Sequence, residues 1–325
     1  MRSLQMSRAL DATPLPHTKA LSTLPAMRLP PPLAPGARVA LVAPAGPLRG
    51  PDELERSLAN ARALGWEPTA GEHVLARHDY LGGSDSERLR DLNAALADES
   101  VDAIWCVRGG YGAMRLLPRL DYASLTRRPR VLLGYSDVTA LHAAIGTRCG
   151  LVTYHGPTAR ENLSGFSRDS LVRAVVERRD PLGEARAART IRGGRARGRL
   201  VGGNLALLSA LAGTPFAPDY RGALLVLEDV GEPAYRIDRM LTQLSHSGAL
   251  GQIAGIVAGH FTESTPGHEL SARSLDVIIR EAADVAGVPA IAGAPIGHIG
   301  EQWTLPLGAM AELDADARSL HVEMS

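Results

Sequence analysis

Short apolar runs alternate along the first half of the chain with stretches whose apolar residues recur every three or four positions. Arg38–Pro44, Val101–Val107, Arg130–Gly134 and Leu151–Tyr154 have the length and composition of buried strands. Between them, Leu54, Leu58, Ala61 and Leu64 mark one face of a helix over Pro51–Leu64. Ser84-Asp85-Ser86-Glu87 carries the capping residues of a second helix that runs to about Ala97. Val138, Leu141, Ala144 and Ile145 mark a third. A short strand near Glu67–Val74, a short helix at Ala113–Leu117 and a helix at Ser167–Glu177 complete this half. Strands alternating with helices predict a parallel sheet covered on both faces, with its site beyond the carboxyl ends of the strands.

From Arg178 to Arg199 the pattern weakens while arginine and glycine rise, which predicts an interdomain connection over residues 179–199. Arg192-Gly193-Gly194-Arg195 and the arginines that follow match no phosphate-loop spacing and read as a solvated turn between strands. Beyond it, Gly202-Gly203-Asn204-Leu205 enters an apolar helix. Ala223–Asp229 and Ile253–Gly259 read as strands, Tyr235–Leu244 and Ser271–Ala286 as helices, and Leu305–Leu307 and Leu320–Val322 as short strands. The expected organisation is a disordered, proline-rich extension over 1–36, with Met27 an alternative start, an N-terminal domain over 37–178, and a C-terminal domain over 200–325.

Composition narrows the classes. The chain has 325 residues, 45% hydrophobic and 22% charged, as in globular proteins. Its 35 basic residues balance 35 acidic ones, so no broad basic face for nucleic acid is implied. Only Lys19 among the basic residues is lysine. No run of 18 apolar residues suggests a membrane span, and the N-terminus lacks the apolar core of a signal peptide. Two cysteines, Cys106 and Cys149, have neither a disulfide framework nor metal-ligand spacing. His268-Glu269 begins like a zinc-protease motif, but Ala272 stands where H-E-x-x-H needs its second histidine.

Ser136 sits where the Arg130–Gly134 strand becomes a helix. A serine on such a turn is held out of the sheet with its hydroxyl exposed, and the first N–H groups of the helix favour negative charge nearby. Ser136-Asp137 would equally cap the helix, and Val138 replaces the second glycine of G-x-S-x-G. Gly109, Gly110 and Gly112 follow the Val101–Val107 strand. They fit either a tight turn or a backbone N–H brought close to a reacting oxygen. Glu228 ends an apolar strand, and His298 lies in a glycine-flanked loop. Ser136, Glu228 and His298 could serve as nucleophile, orienting carboxylate and base, since a triad is defined by roles rather than chain order. His155 is the rival base, and His142 reads as a packing residue.

Arg108-Gly109-Gly110-Tyr111-Gly112, Gly134-Tyr135-Ser136-Asp137-Val138-Thr139-Ala140-Leu141, His155-Gly156-Pro157, Gly202-Gly203-Asn204-Leu205, Leu227-Glu228-Asp229, Ile237-Asp238-Arg239 and Gly297-His298 together resemble the LD-carboxypeptidase family. The resemblance runs from about Val39 to the C-terminus. It implies an α/β fold: an N-terminal parallel sheet similar to class I glutamine amidotransferases, and a C-terminal domain with a mixed, partly barrel-like sheet. It implies a triad of Ser136, His298 and Glu228, with an oxyanion hole from the Gly110 and Asp137 N–H groups. It further implies a homodimer needing no metal or cofactor, acting in the cytoplasm in cell-wall recycling. The reaction would hydrolyse the amide between the L-centre of meso-diaminopimelate and a terminal D-alanine in a murein tetrapeptide.

Three other readings stand beside this one. Microcin immunity peptidases, in the same family, cut an amide to a modified nucleotide and need an aromatic to stack on its base. No aromatic lies between Phe166 and Leu200, although Phe166 or Trp303 could serve. An α/β-hydrolase esterase shares the Ser, acid, His order. A non-catalytic peptide-binding protein could use the same scaffold.

Overall fold

The computed structural model describes residues 27–183, 185, 187–262 and 273–324. The early expectations for 1–26 and for His268, Glu269 and Ala272 lie outside them. Five strands in the first half, β1 (Arg38–Val42), β2 (Glu67–Ala70), β3 (Ala103–Cys106), β4 (Val131–Gly134) and β5 (Thr153–His155), form a parallel sheet. Its helices include α1 (Pro51–Ala63), α2 (Asp85–Ala97), α3 (Tyr122–Arg127) and α4 (Thr139–Cys149). The start of α2 is a full capping box between Ser84 and Glu87. β3 and β4 are buried along their whole length, as a sheet covered on both faces requires.

The second half supplies β6 (Arg189–Arg192), β7 (Arg195–Asn204), β8 (Leu224–Val230), β9 (Gly255–Thr262), β10 (Ala290–Ala292), β11 (Leu305–Leu307), β12 (Met310–Asp314) and β13 (Ser319–Val322). Seven of these form a mixed sheet in the order β13-β12-β7-β8-β9-β10-β6. In a flat sheet β6 and β7 would be four strand spacings apart, about 19 Å. The three Cα steps from Arg192 to Arg195 reach at most about 11 Å. The sheet therefore curls, and Gly194 lies close enough to accept a hydrogen bond from the Ala315 N–H at 2.9 Å. The result is a half-barrel.

Three expectations are corrected. Residues 179–199 are not a mere connection: they hold β6 and the first half of β7, whose arginines pair with Asp314, Glu312 and Glu323. Alternation of arginine with small residues hid a strand whose partners are acidic. Residues 27–36 are not free of the fold. The Arg28 N–H donates to the Gly150 carbonyl, the Leu33 N–H to the Val175 carbonyl, and Leu33 is buried in the core. A proline-rich segment has few N–H groups to satisfy, so it can lie flat on a core without joining a sheet. Finally, β11 does not stay with the second half. It pairs antiparallel with β5, making the first sheet six-stranded in the order β11-β5-β4-β3-β1-β2.

Candidate active site

The site is built where strand ends of the two sheets meet. β4 stops at Gly134, Tyr135 is extended, and Ser136 adopts φ 65° before the chain turns into α4. Left-handed backbone in a residue with a Cβ is strained, and it turns the side chain out of the sheet. Ser136 is not a helix cap: neither the turn Ser136–Val138 nor α4 has a side-chain cap. The Ser136 hydroxyl instead lies 3.1 Å from His298 Nε2.

The turn after β3 is pressed onto this serine. A Cβ on Gly109 would stand 2.8 Å from the Ser136 Cβ, so no larger residue fits without displacing it. Gly110, at φ 116°, is packed on Gly46 and has a conformation that favours glycine. The reading of these glycines as a tight turn is what the structure shows, and the turn also comes close to Ser136. Among the described residues, no protein acceptor takes the Gly110 N–H. Two ties hold the turn. The buried Asp137 carboxylate accepts from the Ala113 N–H at 2.7 Å. Arg88, also buried, donates to the carbonyls of Gly112 and Pro44, joining the loops after β3 and β1. Burial pushes the Asp137 carboxyl up to about 6.

Glu228 lies on β8 and is completely buried. Its Oε2 is 2.9 Å from His298 Nδ1. Burial alone would raise this carboxyl, but the imidazoles of His155 and His298 outweigh it and bring it down to about 2. An ionised Glu228 can only accept, so Nδ1 carries the proton and Nε2 is left to accept from the Ser136 hydroxyl. Burial would lower the imidazolium pKa of His298; the hydrogen bond and charge of Glu228 outweigh that and raise it above the ordinary 6.5. The Tyr135 ring packs 4.8 Å from the imidazole, centroid to centroid.

His298 rides a loop between β10 and β11. The loop is pinned at its far side, where Gln302 N–H donates to Ser167 Oγ at 2.9 Å and Thr304 N–H to Ser170 Oγ at 2.8 Å. His155, the rival base, is buried, with Nε2 3.9 Å from Glu228 Oε1 on the side away from His298. His142 packs as expected, between the Gly134 carbonyl and Thr153, and burial lowers its pKa to about 3. Trp303 is 1% exposed and belongs to the core, so it has no free face for a ligand. Among the described residues no group of three or more His, Cys, Asp or Glu could hold a metal ion, and no helix is long and apolar enough to cross a membrane.

Sequence reasoning missed the Arg88 clamp, the Asp137 side-chain tie and the two serines under the His298 loop. The first left one signal, an arginine at a helical position whose neighbours in the periodic pattern are buried. The serines left none.

These features define a two-sheet α/β protein with a serine, a histidine and a buried carboxylate in one hydrogen-bonded file. The LD-carboxypeptidase N-terminal domain matches residues 39–156 and the C-terminal domain of the same family matches 197–313. The chain belongs to this family, and it is a serine peptidase. A murein tetrapeptide carboxypeptidase of Pseudomonas aeruginosa is 37% identical over 297 residues, covering 86% of this chain and 94% of the relative. The crystal structure of a muramoyltetrapeptide carboxypeptidase from Oxalobacter formigenes superposes with TM-score 0.75 at 29% identity, over 88% of this chain and 98% of that one. The microcin C7 self-immunity protein MccF has the same fold, with TM-score 0.84 at 22% identity over 91% of this chain and 98% of that one.

Proposed function

We propose that this protein is a carboxypeptidase that removes the terminal D-alanine of murein tetrapeptides by hydrolysing its amide to the L-centre of meso-diaminopimelate. The observation that carries this reading is the file Ser136–His298–Glu228, with the serine on strained backbone and its neighbouring turn closed to all but glycine. Ser136 attacks the amide carbonyl as His298 Nε2 takes its proton. Gly110 and Asp137 N–H groups hold the tetrahedral oxyanion, a contribution of about 3 kcal/mol per donor. His298 then gives the proton to the departing amine, and Glu228 stabilises the imidazolium throughout. Water repeats the attack on the acyl-enzyme, with the same histidine as base.

The fold shared with MccF keeps a nucleotide amide in view as a substrate, but the burial of Trp303 leaves half-buried Phe166 as the sole stacking candidate from the sequence. Family membership sets aside the unrelated esterase. We place the reaction in the cytoplasm, where recycled muropeptides are processed, and the enzyme as a homodimer, which sedimentation tests. The deciding experiment measures D-alanine release from tetrapeptide, tripeptide and pentapeptide muropeptides, beside hydrolysis of a simple ester and of an aminoacyl-nucleotide amide. Release from the tetrapeptide is expected. Turnover of the ester or an aminoacyl-nucleotide amide without tetrapeptide cleavage would overturn the assignment.

A further inference from the structure

Arg108 stands between the end of β3 and the Gly109–Gly110 turn that touches Ser136. It is half-buried, and one guanidinium nitrogen donates to the Pro47 carbonyl. Its Nε lies 3.6 Å from the position a Cβ on Gly46 would take, beside the backbone that packs against Gly110. Among the described residues no carboxylate forms an ion pair with it. The charged groups that act on it most strongly are Arg160, Glu53, Arg49 and Arg77, three of them cations. The anion among these, Glu53, is already engaged by Arg160 at 2.7 Å and by the Arg49 N–H at 2.8 Å.

Two other buried arginines show what a satisfied one looks like here. Arg130 donates to the carbonyls of Leu96, Asp98 and Val101, the first two at the end of α2. Arg88 pairs with Asp85 and donates to the carbonyls of Pro44, Gly83 and Gly112. Arg108 has the desolvation of a buried cation and one carbonyl in return. A guanidinium carries five donors in a planar fork that matches a carboxylate, and leaving a partly desolvated charge unpaired is costly.

We propose that Arg108 binds the free α-carboxylate of the residue being cleaved off, so that the enzyme cuts only at a chain end. This rests on Ser136 being the nucleophile. The carboxylate carbon of a terminal residue is three bonds from the scissile carbonyl carbon, about 4 Å along the chain. Arg108 precedes the glycine that faces Ser136, and its guanidinium lies beside Gly46, the residue against which Gly110 packs, which puts the fork on the nucleophile's side of the turn. The same fork explains why a cation is kept in a desolvated place: the substrate, not the protein, completes the pair.

The test uses a tetrapeptide with a free terminal carboxylate and the same peptide as its terminal amide. With wild-type enzyme, kcat/KM for the acid is expected to exceed that for the amide by roughly 10²-fold, as a bidentate charge-assisted contact implies. Arg108→Gln should lose this factor on the acid, chiefly through KM, and lose far less on the amide, so the ratio falls towards one. Arg108→Lys, which keeps the charge and loses the fork, should give an intermediate ratio and remains informative if the glutamine variant does not fold. Equal losses on acid and amide in both variants would make Arg108 a structural residue and overturn the proposal. A wild type that cuts acid and amide equally well overturns it alone. One that cuts neither overturns the murein reading as well.

Discussion

The nucleophile side and the base side of the site are held by different means. Ser136 is placed by the backbone next to it: the left-handed φ, the Gly109 contact, and the Asp137 tie to Ala113, all at strand ends of one sheet. His298 is placed by partners far away in sequence: Glu228 on β8, and Ser167 and Ser170 under its loop. The first arrangement is stiff because it is made of backbone at the ends of neighbouring strands of one sheet. The second sets the protonation of the base through a buried carboxylate, and it depends on the two sheets keeping their distance. Chemistry on the nucleophile side should therefore be lost outright by small changes, while changes on the base side should also move its pH dependence.

The largest effect is expected for Ser136→Ala. It removes the attacking group but keeps the Cβ and the packing around it, so the protein should fold and bind substrate while kcat falls by on the order of 10⁶. A folded variant, by unchanged circular dichroism, releasing D-alanine at more than about a tenth of the wild-type rate would falsify the nucleophile assignment.

Glu228→Gln tests the base side. Loss of the tautomer-fixing charge is expected to lower kcat by about 10⁴. In the wild type the raised pKa of His298 puts the acid limb of kcat/KM above 6.5, because the base must be neutral to act. Without the carboxylate that support disappears while burial remains, so the limb should move to lower pH. A residual pH profile identical to the wild type would remove Glu228 from the account.

Gly109→Ala sharpens the comparison from the other side. The added methyl meets the Ser136 Cβ, so the turn must move and take the Gly110 N–H with it. A kcat loss of about 10²-fold is expected, the scale of one oxyanion donor, with the pH profile unchanged. A shifted acid limb would mean that the two sides are not separately held. The smallest effect is expected for Ser170→Ala, which removes one hydrogen bond to the Thr304 N–H and costs about 1 kcal/mol of stability. Thermal denaturation checks it, and a stability equal to wild type would show that the loop does not depend on this tie.

The same division governs what could be read from the chain. The parallel strands, the α2 capping box and the strand ends carrying Ser136 and Glu228 announce themselves locally, because apolar runs and caps act over a few residues. His298 could be picked out from its flanking glycines. Residues 189–199 could not, because the strands and acidic side chains that β6 and β7 pair with lie far along the chain. Pro306 made the three residues of β11 a weak strand, and nothing near them specifies which sheet they join. Pairing with β5 is decided by the finished fold. The bland reading of Ser136 as a cap failed for a physical reason: its hydroxyl is turned to His298 by a backbone conformation that no residue count discloses.

The placement of β11 bears on the order in which the molecule can be made. Synthesis delivers five strands of the first sheet early, but the edge of β5 stays open until residues 305–307 arrive. An open edge is a template for the wrong partner. A fragment ending at Arg178 is accordingly expected to associate with itself on a sizing column, whereas the whole chain keeps that edge covered. Since His298 lies just ahead of β11, the strand that seals the first sheet draws the base in with it. The growing chain thus has no stage at which its nucleophile half is finished and its base half is still to come.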